Sequence, residues 1–281
     1  MRPIHVARWA AVALVWGGFM DAARAQLPRD IVSQYRPAVE KLRKAYTHAS
    51  FEGTSTLVYP RQQKSREQSF VMRAAGEKRR LDLTTLKQRG MGLQVGATEM
   101  RMATPYGSLS SYTAPGAKFF DNAQQTPYAE TVTQIDNGSL LNYPYSLSST
   151  GTILDMLLRP GVKVTSATTF KSKGQALVQI NYEETAKHAG HMGLWKSSVV
   201  LSPTEGWCLR GFTRTSGQGS DAITERAKLS YSGVNNHGIP LVQSIEAETL
   251  AGKSSIRQEA IGVSKIKFGD PDDYYFGSYS F

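Results

Sequence analysis

The stretch Phe51-Glu52-Gly53-Thr54-Ser55-Thr56-Leu57-Val58-Tyr59 alternates with a period of two: Phe51, Gly53, Ser55, Leu57 and Tyr59 fall on one side. Such a period predicts a β-strand with one buried face. Just upstream the period is different. Ile31, Tyr35, Val39, Leu42 and Tyr46 recur at helical intervals and form one apolar stripe, with Lys41, Arg43 and Lys44 mainly off it. This predicts an amphipathic helix packed on a sheet, its basic flank turned to solvent. Pro37 lies inside the pattern and is expected to kink or restart the helix at Arg36. The change of period between Tyr46 and Phe51 decides the fold class: one helix, then β-structure.

Working outward, short alternating runs follow at residues 69–73, 79–83, 93–95 and 100–102, and again at 162–170, 176–182, 194–201, 207–213, 223–231, 241–250 and 255–266. Breaks such as Ser202-Pro203-Thr204-Glu205-Gly206 and Asn235-Asn236-His237-Gly238 have turn composition. Eleven or twelve strands with short links predict an antiparallel meander, each strand burying one face. Residues 104–150 differ, with four prolines, five tyrosines and little alternation, and are expected to form an irregular covering layer or lid. They lead into Thr152-Ile153-Leu154-Asp155-Met156-Leu157-Leu158, which Pro160-Gly161 stops. This short apolar helix, capped by Ser149 or Thr150, is expected to lie buried as a plug on the inner face of the sheet.

Residues 1–25 have the pattern of a cleaved export signal: Arg2 and Arg8, the uncharged run Trp9–Phe19, then Ala23-Arg24-Ala25 ahead of Gln26. Eleven apolar residues fall short of the roughly 20 that span a bilayer. The expected organisation is a signal at 1–25 and a single domain over 26–281, placed in the periplasm or cell envelope. With Cys208 as the one cysteine, no internal disulfide can form and stability must come from burial. The net charge of +10 favours acidic partners, an anionic membrane surface among them, but the basic residues are dispersed and match no nucleic-acid motif.

The order of elements resembles the periplasmic lipoprotein-carrier (LolA-like) superfamily. The resemblance is carried by Lys41-Leu42-Arg43-Lys44-Ala45-Tyr46 running into Phe51-Glu52-Gly53-Thr54, by Gly76-Glu77-Lys78-Arg79-Arg80-Leu81-Asp82-Leu83, and by a mid-chain plugging helix between two series of hairpins. It implies an incomplete antiparallel β-barrel, mainly β, with helices against an apolar concave face that receives acyl chains. The candidate lining residues are Phe51, Leu57, Tyr59, Leu81, Leu83, Leu93, Val95, Met100, Met102, Met156 and Leu157. Arg66 and Arg73 both fall where the ligand-gating Arg of true carriers would be sought, and neither is singled out. The implied partner is a lipid or acylated protein, held by a monomer without cofactor. The alternative is an envelope scaffold that binds a protein or polysaccharide and fills its own core.

Enzyme chemistry finds little support. G-x-S-x-G, H-E-x-x-H and Walker patterns are absent. His188 and His191 flank Gly190 in a loop-like stretch, and Asp270, Asp272 and Asp273 lack the spacing of a calcium loop. No catalytic or metal-binding residue is therefore assigned. Tyr274, Tyr275, Phe276, Tyr279 and Phe281 make an aromatic C-terminus, expected to pack back on the domain's own open edge.

Overall fold

A computed structural model describes residues 27–116, 122–139, 142–147, 151–188 and 191–276, leaving aside the side chains of 122–123, 136–139, 188 and 191. The export signal expected at residues 1–25, Tyr279, Phe281 and the side chains of His188 and His191 therefore lie outside the described residues. No described helix is long and apolar enough to cross a membrane.

Helix α1 (Arg29–Tyr46) buries Tyr35, Val39, Leu42 and Tyr46, the stripe that its spacing predicts. Pro37 does not interrupt it, contrary to expectation; the helix is continuous. Packing of the stripe on either side of Pro37 holds the helix through a residue that would break an unsupported one. The Tyr46 hydroxyl donates to the Pro240 carbonyl at 2.8 Å and accepts from the Val242 amide at 3.1 Å, fastening the helix end to the sheet.

Thirteen strands follow among the described residues. The first six are β1 (His48–Tyr59), β2 (Lys64–Ala75), β3 (Lys78–Arg89), β4 (Thr98–Thr104), β5 (Gly107–Thr113) and β6 (Asn122–Gln125). Helices α2 (Tyr128–Ser139) and α3 (Ile153–Leu158) come next. The second series is β7 (Val162–Ser172), β8 (Gln175–His188), β9 (His191–Ser202), β10 (Cys208–Ser216), β11 (Ile223–Val234), β12 (Pro240–Ala251) and β13 (Ser254–Phe268). All belong to one antiparallel sheet in the order β6-β5-β4-β3-β2-β1-β13-β12-β11-β10-β9-β8-β7. Every described pair joins chain neighbours except β1 with β13, which unites the two series. The sheet does not close, since β6 and β7 are its edges. The expected class, a mainly β, incomplete antiparallel barrel with an N-terminal helix and a short plugging helix, is what the chain forms.

Three local expectations need correction. Leu93 and Val95 are not in a strand; they sit in the β3–β4 connection, Leu93 half-buried and Val95 exposed, because turns around Gly90, Gly92 and Gly96 break the alternation. Residues 104–150 are not an irregular layer throughout, for they supply β5, β6 and α2. Finally, α3 is capped by Thr152 rather than by Ser149 or Thr150. The Thr152 hydroxyl accepts from the Asp155 amide at 3.1 Å, and the Asp155 carboxylate accepts from the Thr152 amide at 2.8 Å, a reciprocal capping box. Those bonds also hold the Asp155 carboxyl below its usual range.

The core lies between the sheet's concave face and a cover made by α1, α2, residues 142–147 and α3. On the opposite face, residues 273–276 pack against β2 and β3. The Tyr275 ring lies 4.1 Å from the Arg73 guanidinium, the Tyr275 carbonyl accepts from Arg80 at 2.9 Å, and Lys78 pairs with Asp273 at 2.6 Å. The described C-terminal aromatics thus return to the domain, but onto a face rather than an edge.

Candidate functional site

Directly opposed residues in an antiparallel sheet share a face, so the register sorts the side chains. One row runs Arg66, Leu57, Glu259, Ala247, Ala227, Phe212, Val199, Ile180 across eight strands. The adjacent row on the same face runs Arg257, Thr249, Glu225, Arg214, Ser197, Tyr182, Val164. Ile180, Tyr182, Val199 and Phe212 belong to the core, which identifies this face as the concave one.

Phe51, Leu81 and Leu83 are buried on the concave face, with Met72 and Phe70 as their cross-strand partners. Leu57 and Tyr59 continue that side of β1 toward its far end and are half-buried. Met100 and Met102 face the other way: they oppose Asp82 and Arg80, whereas Leu81 opposes Arg101. The register of β4 places both methionines on the outer face, where they are buried away from the main core. Met156 and Leu157 lie in the core as part of its cover, together with Ile153 and Leu154. The candidate lining residues are therefore not assembled on one surface, and the centre of the concave face is occupied by the chain's own side chains.

The cover meets the sheet through apolar side chains. Tyr145 packs 6.3 Å from the Tyr46 ring, and the Tyr182 hydroxyl lies 3.7 Å from the Met156 sulfur. Among the described residues, one main-chain hydrogen bond joins residues 142–147 to a strand, from the Leu209 amide to the Pro144 carbonyl at 3.1 Å. Residues 142–147 and α3 form a strap whose Tyr145, Ile153, Leu154, Met156 and Leu157 side chains pack into the core.

Beside the strap the face is unfilled. A cavity of about 240 Å³ opens between Tyr143 and Leu147 on one wall and β10–β13 on the other. Its lining on this face is charged: Arg214 pairs with Glu225, and Arg257 with Glu259 at 2.7 Å, while Arg226 and Glu248, paired at 2.5 Å, border it from positions that alternate to the opposite face. The Tyr143 and Phe212 rings meet edge to face at 5.6 Å, and burial pushes the Tyr143 hydroxyl up to about 12. Sequence reasoning missed these residues. The available signal was that Arg257 and Glu259 continue the inward alternation of Ile261, and Arg214 that of Phe212, putting charge where apolar side chains are expected.

Glu259 is 9% exposed, and its carboxyl is raised above the ordinary 4.5 by loss of water, with Arg257 and Arg66 pulling it partly back. A raised acid stabilises the fold fully below its unfolded value and loses that contribution as pH rises through the folded value. At neutral pH the ionised side chain is a net cost. Glu259→Gln is accordingly expected to melt at a higher temperature than the parent at pH 7, with the difference vanishing below about pH 4. A variant less stable at pH 7 would show that the Arg257 pair outweighs desolvation.

Other candidates resolve into structural roles. Burial pushes the Cys208 thiol up to about 12, leaving it protonated at neutral pH and a poor nucleophile. Asn235 accepts from the amides of His237 and Ile239, both at 2.9 Å, so His237 sits in a side-chain-bonded turn. Asp270 pairs with His48, Asp273 with Lys78, and Asp272 accepts from the Tyr274 amide, so the three acids serve different contacts.

No family model matches the chain, and no curated protein does. Solved structures are similar to it. A DUF1329 family protein from Desulfovibrio piger has a TM-score of 0.49 at 7% identity, covering 89% of this chain and 98% of its own. A LolA superfamily protein from Nitrosomonas europaea has a TM-score of 0.45 at 10% identity, covering 88% and 99%. LprF from Mycobacterium bovis has a TM-score of 0.34 at 8% identity, covering 88% and 97%.

Proposed function

We propose that this chain is a non-enzymatic binding protein of the cell envelope, exported by residues 1–25, whose single domain over 26–281 holds a lipid or the acyl chain of a lipoprotein against the concave face. The observation that carries this reading is the strap. It contributes Tyr145, Ile153, Leu154, Met156 and Leu157 to the core that covers an apolar sheet face which the open sheet leaves unpaired by a second sheet. An acyl chain offers the same apolar contact, roughly 0.8 kcal/mol per buried methylene, and can replace the strap at little net cost. Phe51, Leu57, Tyr59, Leu81 and Leu83 are the side chains of this face nearest to such a ligand's path, while Met156 and Leu157 are the residues it displaces. The exposed Lys41, Arg43 and Lys44 on the outer side of α1 suit approach to an anionic membrane surface.

A second reading rests on the same geometry: because the strap fills the centre of the face, the domain also works as a scaffold with a self-filled core. Native mass spectrometry of the mature protein, purified from its host without detergent, separates the two. An adduct with the mass of a lipid or acylated peptide is expected. A clean apo mass, unchanged after incubation with phospholipid vesicles, overturns the acyl reading and leaves the scaffold.

A further inference from the structure

The cavity beside the strap places charge on a face that is otherwise apolar. Four charges, Arg214, Glu225, Arg257 and Glu259, stand in rows that, apart from Arg66 at one end, are otherwise made of apolar or small side chains. Three of them are well buried: the Arg214 side chain is 12% exposed, Glu225 16% and Glu259 9%. Taking ion pairs out of water costs stability, and apolar residues of similar volume often do as well or better. Charges kept at such a cost, around space that side chains leave unfilled, point to a polar occupant. On this face the described lining holds two guanidinium groups and two carboxylates, so it carries no net charge. An anionic occupant would meet two carboxylates, and a cationic one two guanidinium groups. A group with both charges meets a partner for each. At about 240 Å³ the cavity has room for a small head group.

We propose that this cavity binds a zwitterionic head group, its anionic end on Arg214 and Arg257 and its cationic end on Glu225 and Glu259. The assignment deepens the acyl reading and rests on it for the position of the chain. Tyr143 and Leu147 form both the cavity wall and the strap, so a head group in the cavity directs its tail beneath the segment that must move aside.

The test uses soluble head groups without tails, so that it does not depend on acyl binding. The folded mature protein, uniformly labelled with nitrogen-15, is titrated above neutral pH with glycerophosphoethanolamine, with glycerol 3-phosphate and with glycerol. Glycerophosphoethanolamine is expected to shift amides of β10–β13 around the cavity and to bind about tenfold or more tighter than glycerol 3-phosphate, with glycerol silent. In Glu259→Gln the lining gains one positive charge, and the preference should narrow or reverse toward glycerol 3-phosphate. Glu225→Gln provides the same change two strands away if the first variant does not fold. The proposal is overturned by absence of cavity shifts with the zwitterion, by equal shifts with glycerol, or by a preference that neither variant moves. Cavity shifts alongside a clean apo mass would remove the acyl reading and leave the polar site. A lipid adduct without cavity shifts would do the reverse.

Discussion

Gly53→Ala is expected to destabilise the domain by about 3 kcal/mol or more, lowering the melting temperature by roughly 6–12 °C for a chain of this size. A β-carbon at position 53 would stand 2.1 Å from the Gly262 carbonyl oxygen and 2.9 Å from the Phe70 ring. The oxygen belongs to backbone on the neighbouring strand, so relief requires β1 and β13 to separate. That is the one described pairing between distant parts of the chain, and it joins β1–β6 to β7–β13. The register already shifts between Glu52 and Gly53, so the ladder there has little slack. Gly262→Ala is the matched control. Its β-carbon would meet only the Thr54 hydroxyl, at an ordinary 3.6 Å, and the change should lie within about 1 kcal/mol of the parent. Thermal melts of both variants check the contrast. Equal losses would mean that the β1–β13 junction yields to added volume.

That contrast marks how far the sequence is legible. The alternation after Phe51 identifies β1, and Gly53 fits within it as a permissive residue. Nothing local announces that a carbonyl 209 positions later fills the space beside it. The stripe from Tyr35 to Tyr46 was legible because a helix's buried face depends on its own spacing, and the meander because strand links are short. Faces were harder. Met100 and Met102 alternate as well as Leu81 and Leu83 do, and only the pairing of β3 with β4 sets the two sets on opposite sides. Pro37 marks a different limit, since a proline's local cost is offset by tertiary packing that spacing does not reveal.

The charged cavity was hidden for a related reason. Arg214, Glu225, Arg257 and Glu259 are dispersed over 46 residues and converge through the register of four strands. Each alone resembles a solvated strand residue. Together they form the polar end of an otherwise apolar surface, beside the segment that covers it. The strap therefore touches both regions, its turns walling the cavity and its helix packing against α1 and β7.

Leu157→Asp is expected to free that strap while leaving the sheet folded. Leu157 is buried in the core with Ile153, Leu154 and Met156. Burial of these four side chains contributes roughly 6–12 kcal/mol at about 1.5–3 each. Ordering the six backbone residues of α3 costs a comparable amount, about 1–2 kcal/mol per residue. The net hold is therefore small. An unpaired carboxylate at position 157 costs several kcal/mol if it stays buried, and releasing a six-residue helix avoids that cost more cheaply than unfolding thirteen strands. Far-ultraviolet circular dichroism should retain its sheet signal, hydrogen exchange should rise across residues 142–158, and binding of an apolar dye should increase. Lipid should bind about tenfold or more tighter than to the parent, because the competing cover has been removed before the ligand arrives. Loss of the sheet signal along with the strap would show that α3 is an integral part of the core, and the concave face would then belong to the fold rather than to a ligand.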